Sequence, residues 1–126
     1  MKKVIASSFA DPDDVRRFKA CKEDGGTDKE CFKVGDNGIG FWGEDTTADT
    51  PICALPVEEW QAIHMARGAR VRVRRGNLTV ICRLLDTMPH RRFITNGAGI
   101  DLNPCAARAL GLVPPFLHPV EWEWVD

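Results

Sequence analysis

Apolar and polar positions switch period several times along this chain. Lys3 to Phe9 carries Val4 and Ile5 in a short strand-like run. Val15, Phe18 and Cys21 then recur at helical spacing. Asp11-Pro12-Asp13-Asp14 opens that helix, with a capping acid, proline at the first turn and acids near the helix start. Gly25-Gly26 stops it, and Thr27-Asp28-Lys29-Glu30 has the form of a capping box that begins another turn. Pro56 with Glu58 and Glu59 predicts a further helix, its Trp60, Ile63 and Met65 inward and Gly68 as its stop.

Beyond Gly68 the period becomes two. Arg70-Val71-Arg72-Val73-Arg74 alternates strictly, so valines face in and arginines out. Gly76-Asn77 reads as a hairpin turn. Leu78 to Leu85 returns as a strand apolar on both faces, which predicts burial on both sides, and it ends on Asp86. Asn96 to Gly99 turns into Ile100-Asp101-Leu102. Asn103 caps and Pro104 begins a short helix that Gly111 ends. Val120, Trp122 and Trp124 alternate with Glu121 and Glu123 in a last strand.

Between these elements, Val34 to Thr47 holds Gly35, Gly38, Gly40 and Gly43, too many for a helix. No Gly-Lys-Ser/Thr follows, so a phosphate-cradling loop is rejected. The segment reads instead as the lining of a cleft, with Asp36, Asn37, Glu44, Asp45, Thr46 and Thr47 as its polar groups. Trp42 is either the apolar platform of that cleft or a core residue.

Length makes this one domain, residues 1–126, large enough for its own core. A net charge of −1 gives no overall attraction to nucleic acid or an anionic membrane. Charge is uneven, however: Arg67 to Arg92 holds eight arginines and one acid, Asp86. That stretch is either a solvated sheet face or a surface for an anionic polymer. No run is long and apolar enough to span a membrane. Met-Lys-Lys resembles the charged start of a leader, but Val4-Ile5-Ala6 is too short for its apolar core. A periplasmic or extracellular location follows if a leader was removed; otherwise the chain is cytoplasmic or leaves by another route. The five cysteines lack zinc-ligand spacing, so neither metal nor cofactor is expected. Cys21 and Cys31 flank the Gly-Gly turn as a disulfide or as two buried thiols.

Over roughly residues 50–125 the order of motifs resembles the double-psi β-barrel domain of rare lipoprotein A and of expansin-like proteins. The residues are Ala54-Leu55-Pro56, Val71-Arg72-Val73, Gly76-Asn77, Val80 to Asp86 with Pro89, Ile100-Asp101-Leu102-Asn103, and Ala106-Ala107-Arg108-Ala109-Leu110-Gly111. The resemblance implies a mainly β fold. It is a six-stranded double-psi barrel with short inserted helices and an N-terminal helical insertion at about 12–33.

The family divides between cleavers of peptidoglycan glycan strands and modules that bind or loosen polysaccharide without hydrolysis. The chain is thus expected to be polysaccharide-active, as a lytic transglycosylase or glycoside hydrolase. The alternatives are a non-catalytic glycan-binding or wall-loosening module, or a phage or secreted structural protein of this fold. Asp86 matches the family's proton donor, and Glu44, in Gly43-Glu44, is the candidate second carboxylate. Asp36, Asn37, Trp42, Thr46, Asn96 and Asp101 are candidates for substrate contact, Asp101 also as an acid holding backbone N–H groups beside a helix start. Two positions depart from the family: Ile52-Cys53-Ala54 lacks its histidine, and Thr87-Met88 replaces Arg-Gly after the acid.

Overall fold

The computed structural model describes residues 1–125. Six strands close a barrel: β1 (Lys2–Ser8), β2 (Ile52–Pro56), β3 (Arg70–Arg75), β4 (Leu78–Met88), β5 (Ala98–Leu102) and β6 (Leu117–Trp124), in the spatial order β1-β5-β2-β4-β3-β6. The pairs β1–β5 and β2–β4 are parallel and the other pairs antiparallel. Closure leaves no sheet edge to cover. The helices are α1 (Pro12–Glu23), α2 (Asp28–Cys31), α3 (Val57–Trp60) and α4 (Pro104–Ala109).

Inside the barrel, Leu55, Val71, Val73, Leu84, Ile100, Leu102 and Trp122 are fully buried. The alternations in β3 and β6 meet across the sheet. Arg72 lies opposite Glu123 and Arg74 opposite Glu121, and both pairs form ion bridges, at 2.7 and 2.9 Å. Arg67 pairs with Glu44, Arg75 with the Leu110 carbonyl and Arg83 with the Gly68 carbonyl. Ion pairs thus offset the charges of Arg67, Arg72 and Arg74, while Arg75 and Arg83 keep theirs against backbone carbonyls.

Two expectations change. The helix after Pro56 is a single turn. Beyond it the Gly68 amide donates to the Leu84 carbonyl and the Leu84 amide to the Ala69 carbonyl. The flank of β4 thus draws the chain into extended pairing before the helix lengthens, and Met65 is 78% exposed rather than inward. Strand β4 is not buried on both faces: Val80, Cys82 and Leu84 point inward, while Leu78 and Ile81 are exposed. A closed barrel packs only its inner face, so apolar composition alone overstated the burial. The strand also continues through Asp86 to Met88.

The N-terminal insertion is a disulfide-closed arm. Cys21 and Cys31 are bonded, and Phe18 packs on Phe32 with ring centroids 4.8 Å apart. Thr27 and Glu30 complete the capping box.

Candidate functional site

The glycine-rich loop folds onto the outer end of β4. Gly40 lies so close to that strand that a Cβ there would sit 2.1 Å from the Leu85 carbonyl oxygen. Only glycine permits this approach. It brings the Phe41 amide to 3.0 Å from Asp86 Oδ1, which also accepts from the Thr87 amide at 2.8 Å. The loop is tied within itself: the Gly40 amide donates to the Glu44 carbonyl at 2.8 Å, and Ile39 bridges to Asp45.

Beside Asp86 stands an aromatic cluster. Trp42 meets Phe41 edge-on at 5.1 Å and Trp60 at 5.2 Å, and Trp60 Nε1 donates to Thr87 Oγ1 at 3.0 Å. Trp42 is half-buried against the core, while Phe41 is 60% exposed. The outward aromatic is thus Phe41 rather than its larger neighbour Trp42. The adjacent pair Phe41-Trp42 inside a glycine-rich loop was the available signal.

Asp86 is half-buried. Burial pushes its carboxyl up to about 6, the negative charge of Asp36 adds to this, and the Thr87 and Phe41 amides oppose it. Asp101 is pushed higher, to about 7, by burial and by the charges of Asp86 and Asp36, against a hydrogen bond from the Ser7 hydroxyl. Burial also raises Asp36, whose Oδ2 accepts from the Gly38 amide. These three acids, from the loop, β4 and β5, share one electrostatic neighbourhood. Among the described residues no cluster of acids, histidines and cysteines has the arrangement to hold a metal.

The other candidates separate. Glu44 Oε1 accepts from Arg67 Nε at 2.6 Å. Thr46 is fully buried and its carbonyl accepts from Asn103 Nδ2 at 3.0 Å, so it faces the interior rather than a cleft. Asn37 Oδ1 and Asn96 Oδ1 each accept a nearby backbone amide, from Ile39 and Ala98. Asp101 holds the Ser7 hydroxyl. The helix-start duty falls to Asn103, whose Oδ1 accepts from the Ala106 and Ile52 amides, both at 3.0 Å.

No protein-family model matches the chain, and no curated protein does. Among solved structures, the Streptomyces papain inhibitor (SPI) superposes with a TM-score of 0.56, over 99% of this chain and 96% of its own, at 17% identity. The fold is a double-psi β-barrel. At that identity the likeness speaks for architecture alone. It also extends over the N-terminal arm, beyond the stretch whose motifs resembled the family.

Proposed function

We propose that the barrel binds polysaccharide across the Phe41–Trp42–Trp60 face and that Asp86 is its proton donor. The observation that carries this reading is a half-buried carboxyl held near neutrality beside an exposed ring. A glycosidic bond breaks when its bridging oxygen is protonated. A carboxyl raised to about 6 keeps a usable protonated fraction near neutral pH. Aromatic faces stack on the C–H faces of pyranose rings.

The arrangement favours a lytic cleavage over hydrolysis. Glu44, the second carboxylate a hydrolase needs, is engaged by Arg67. In the lytic reaction Asp86 gives its proton to the bridging oxygen as the bond to C1 breaks. The resulting carboxylate then removes the proton from the same sugar's 6-hydroxyl, whose oxygen closes the anhydro ring on C1. Burial and the negative charge of Asp36 help Asp86 retain its proton. Rare lipoprotein A-like peptidoglycan cleavage is the nearest activity, with non-catalytic glycan binding through the same face as its simpler form.

Digestion of purified sacculi, with mass analysis of the released fragments, tests the proposal. Wild type is expected to release anhydro-ended fragments and Asp86→Asn none. Release by neither protein while both bind glycan leaves the binding form, and absence of binding overturns the whole reading.

A second reading draws on the solved relative, which is a papain inhibitor. Phe41 projects from a loop braced by its own hydrogen bonds, a form suited to entering a protease cleft. Inhibition of papain by wild type, and its loss in Phe41→Ala, would select this reading.

A further inference from the structure

Where β1 meets the turn between β4 and β5, the surface gathers positive charge. Lys2 and Lys3 stand on β1, and Arg91 and Arg92 belong to a single 3-10 turn, Arg91–Phe93. Lys3 and Arg91 line one groove of about 560 Å³. Ile5, Ile94 and Pro119 are among its apolar walls, and no acid lines it.

The acids of this region lie beneath its cations. Glu59 pairs with both Lys2 and Arg91, yet its side chain is 9% exposed, against 57% for Lys2 and 66% for Arg91. Glu58, which faces His90 and accepts from the Arg91 amide, is 24% exposed. Glu121 lies opposite Lys3 in the β1–β6 register but is engaged by Arg74. Lys3 itself has no hydrogen bond or ion pair among the described residues. An approaching anion therefore meets ammonium and guanidinium groups first, although the whole chain carries a net charge of −1.

Cations alone would suit any polyanion. Two further features favour one that also offers hydrocarbon. Phe93 is 64% exposed, with the Arg92 guanidinium 4.8 Å from its ring centre. The groove between Lys3 and Arg91 is apolar. Basic groups around an exposed ring and an apolar recess match the boundary between lipid headgroups and acyl chains.

We propose that this face docks on an anionic phospholipid membrane. Lys3, Arg91 and Arg92 meet the lipid phosphates, Phe93 sits at the headgroup level, and the groove takes the glycerol and upper acyl region of one lipid. The contact is peripheral, since no helix among the described residues is long and apolar enough to cross a membrane. It goes beyond the glycan reading and does not depend on it.

Cosedimentation with phosphatidylglycerol vesicles and with phosphatidylcholine vesicles tests this. Wild type is expected to bind the anionic vesicles at least ~10-fold more tightly. Binding should be lost in about 1 M salt, where the screening length falls to ~3 Å. Lys3→Gln combined with Arg92→Gln should remove most of the preference. Phe93→Ala should weaken binding ~5-fold and keep its salt dependence. All three positions are exposed, and the melting midpoint of each variant checks that the barrel is intact. The wild-type preference is read without any variant, so a misfolded variant leaves the test in force. Equal binding to both vesicles, or a preference that survives in the folded double variant, overturns the docking face. Polyglutamate bound as tightly as the anionic vesicles, with no loss in Phe93→Ala, overturns the membrane assignment in favour of an acidic polymer. Glycan binding is measured separately, so the two readings stand or fall apart.

Discussion

The Phe41 amide donates to Asp86 Oδ1 at 3.0 Å, joining an exposed aromatic loop to the end of a barrel strand. One contact thereby sets both parts of the site. It fixes the orientation of the acid, and it holds the Phe41 ring at the surface beside it.

Gly40 makes that contact possible, so Gly40→Ala should disrupt it. The added methyl meets the Leu85 carbonyl at 2.1 Å, and backbone on both sides resists displacement. Denaturant unfolding should show a loss of about 2 kcal/mol or more. Hydrogen exchange should show lost protection at the Phe41 amide. Unchanged stability and protection would mean that the loop is not seated on β4 as described.

Asp101 gives a pH signature of definite sign. Its carboxyl rises from 3.8 to about 7 on folding, so between these values the folded chain holds more protons than the unfolded one. Stability therefore falls as pH rises through that window. Asp101→Asn removes the titration and retains an acceptor for Ser7. It should exceed wild type by ~2 kcal/mol at alkaline pH, with the gap closing toward pH 4. Melting curves across pH check this, and a gap that widens in acid contradicts it. Asp11 and Asp86 are raised by burial too, so residual dependence of the same sign remains in the variant.

Asn103 is the buried polar hub. Its side chain accepts from the Ile52 and Ala106 amides and donates to the carbonyls of Thr46 and Thr50. Asn103→Ala leaves these groups without partners at one stroke. Chemical denaturation should report a loss of about 3–5 kcal/mol. A loss below ~1 kcal/mol would mean that water replaces the side chain without penalty.

The arm is held by one covalent link across ten residues, from Cys21 to Cys31. Replacing both cysteines by serine should lower stability by about 2–3 kcal/mol, chiefly by freeing the unfolded chain. Exchange protection should fall in α1 and α2 before it falls in the barrel strands. Equal loosening of arm and barrel would show that the two unfold as one unit.

Much of this architecture was legible because local signals agreed with the fold. The alternation in β3, the Gly76-Asn77 hairpin and the Asn103-Pro104 helix start all appear where the pattern put them. The helix after Pro56 is shorter than its pattern predicts because the strand flank beyond Gly68 takes the chain, and no local propensity reports a long-range partner. Asp86 and Asp36 were visible as acids, but their shared field exists only once the loop folds onto β4. Glu44 and Thr46 looked equivalent to their neighbours in sequence. An arginine from beyond α3 and the packing of Asn103 separate them. Sequence does not separate Phe41 from Trp42, because exposure of one aromatic over another depends on which ring the barrel accepts.

The account depends on Asp86 holding its proton close to neutral pH. Carbon-13 NMR of the Asp86 side-chain carboxyl, followed through a pH titration of the intact protein, measures this directly. The structure predicts a midpoint at about 6. A midpoint near 3.8, the ordinary value for an aspartate, would leave it an anion at working pH and remove it as a proton donor.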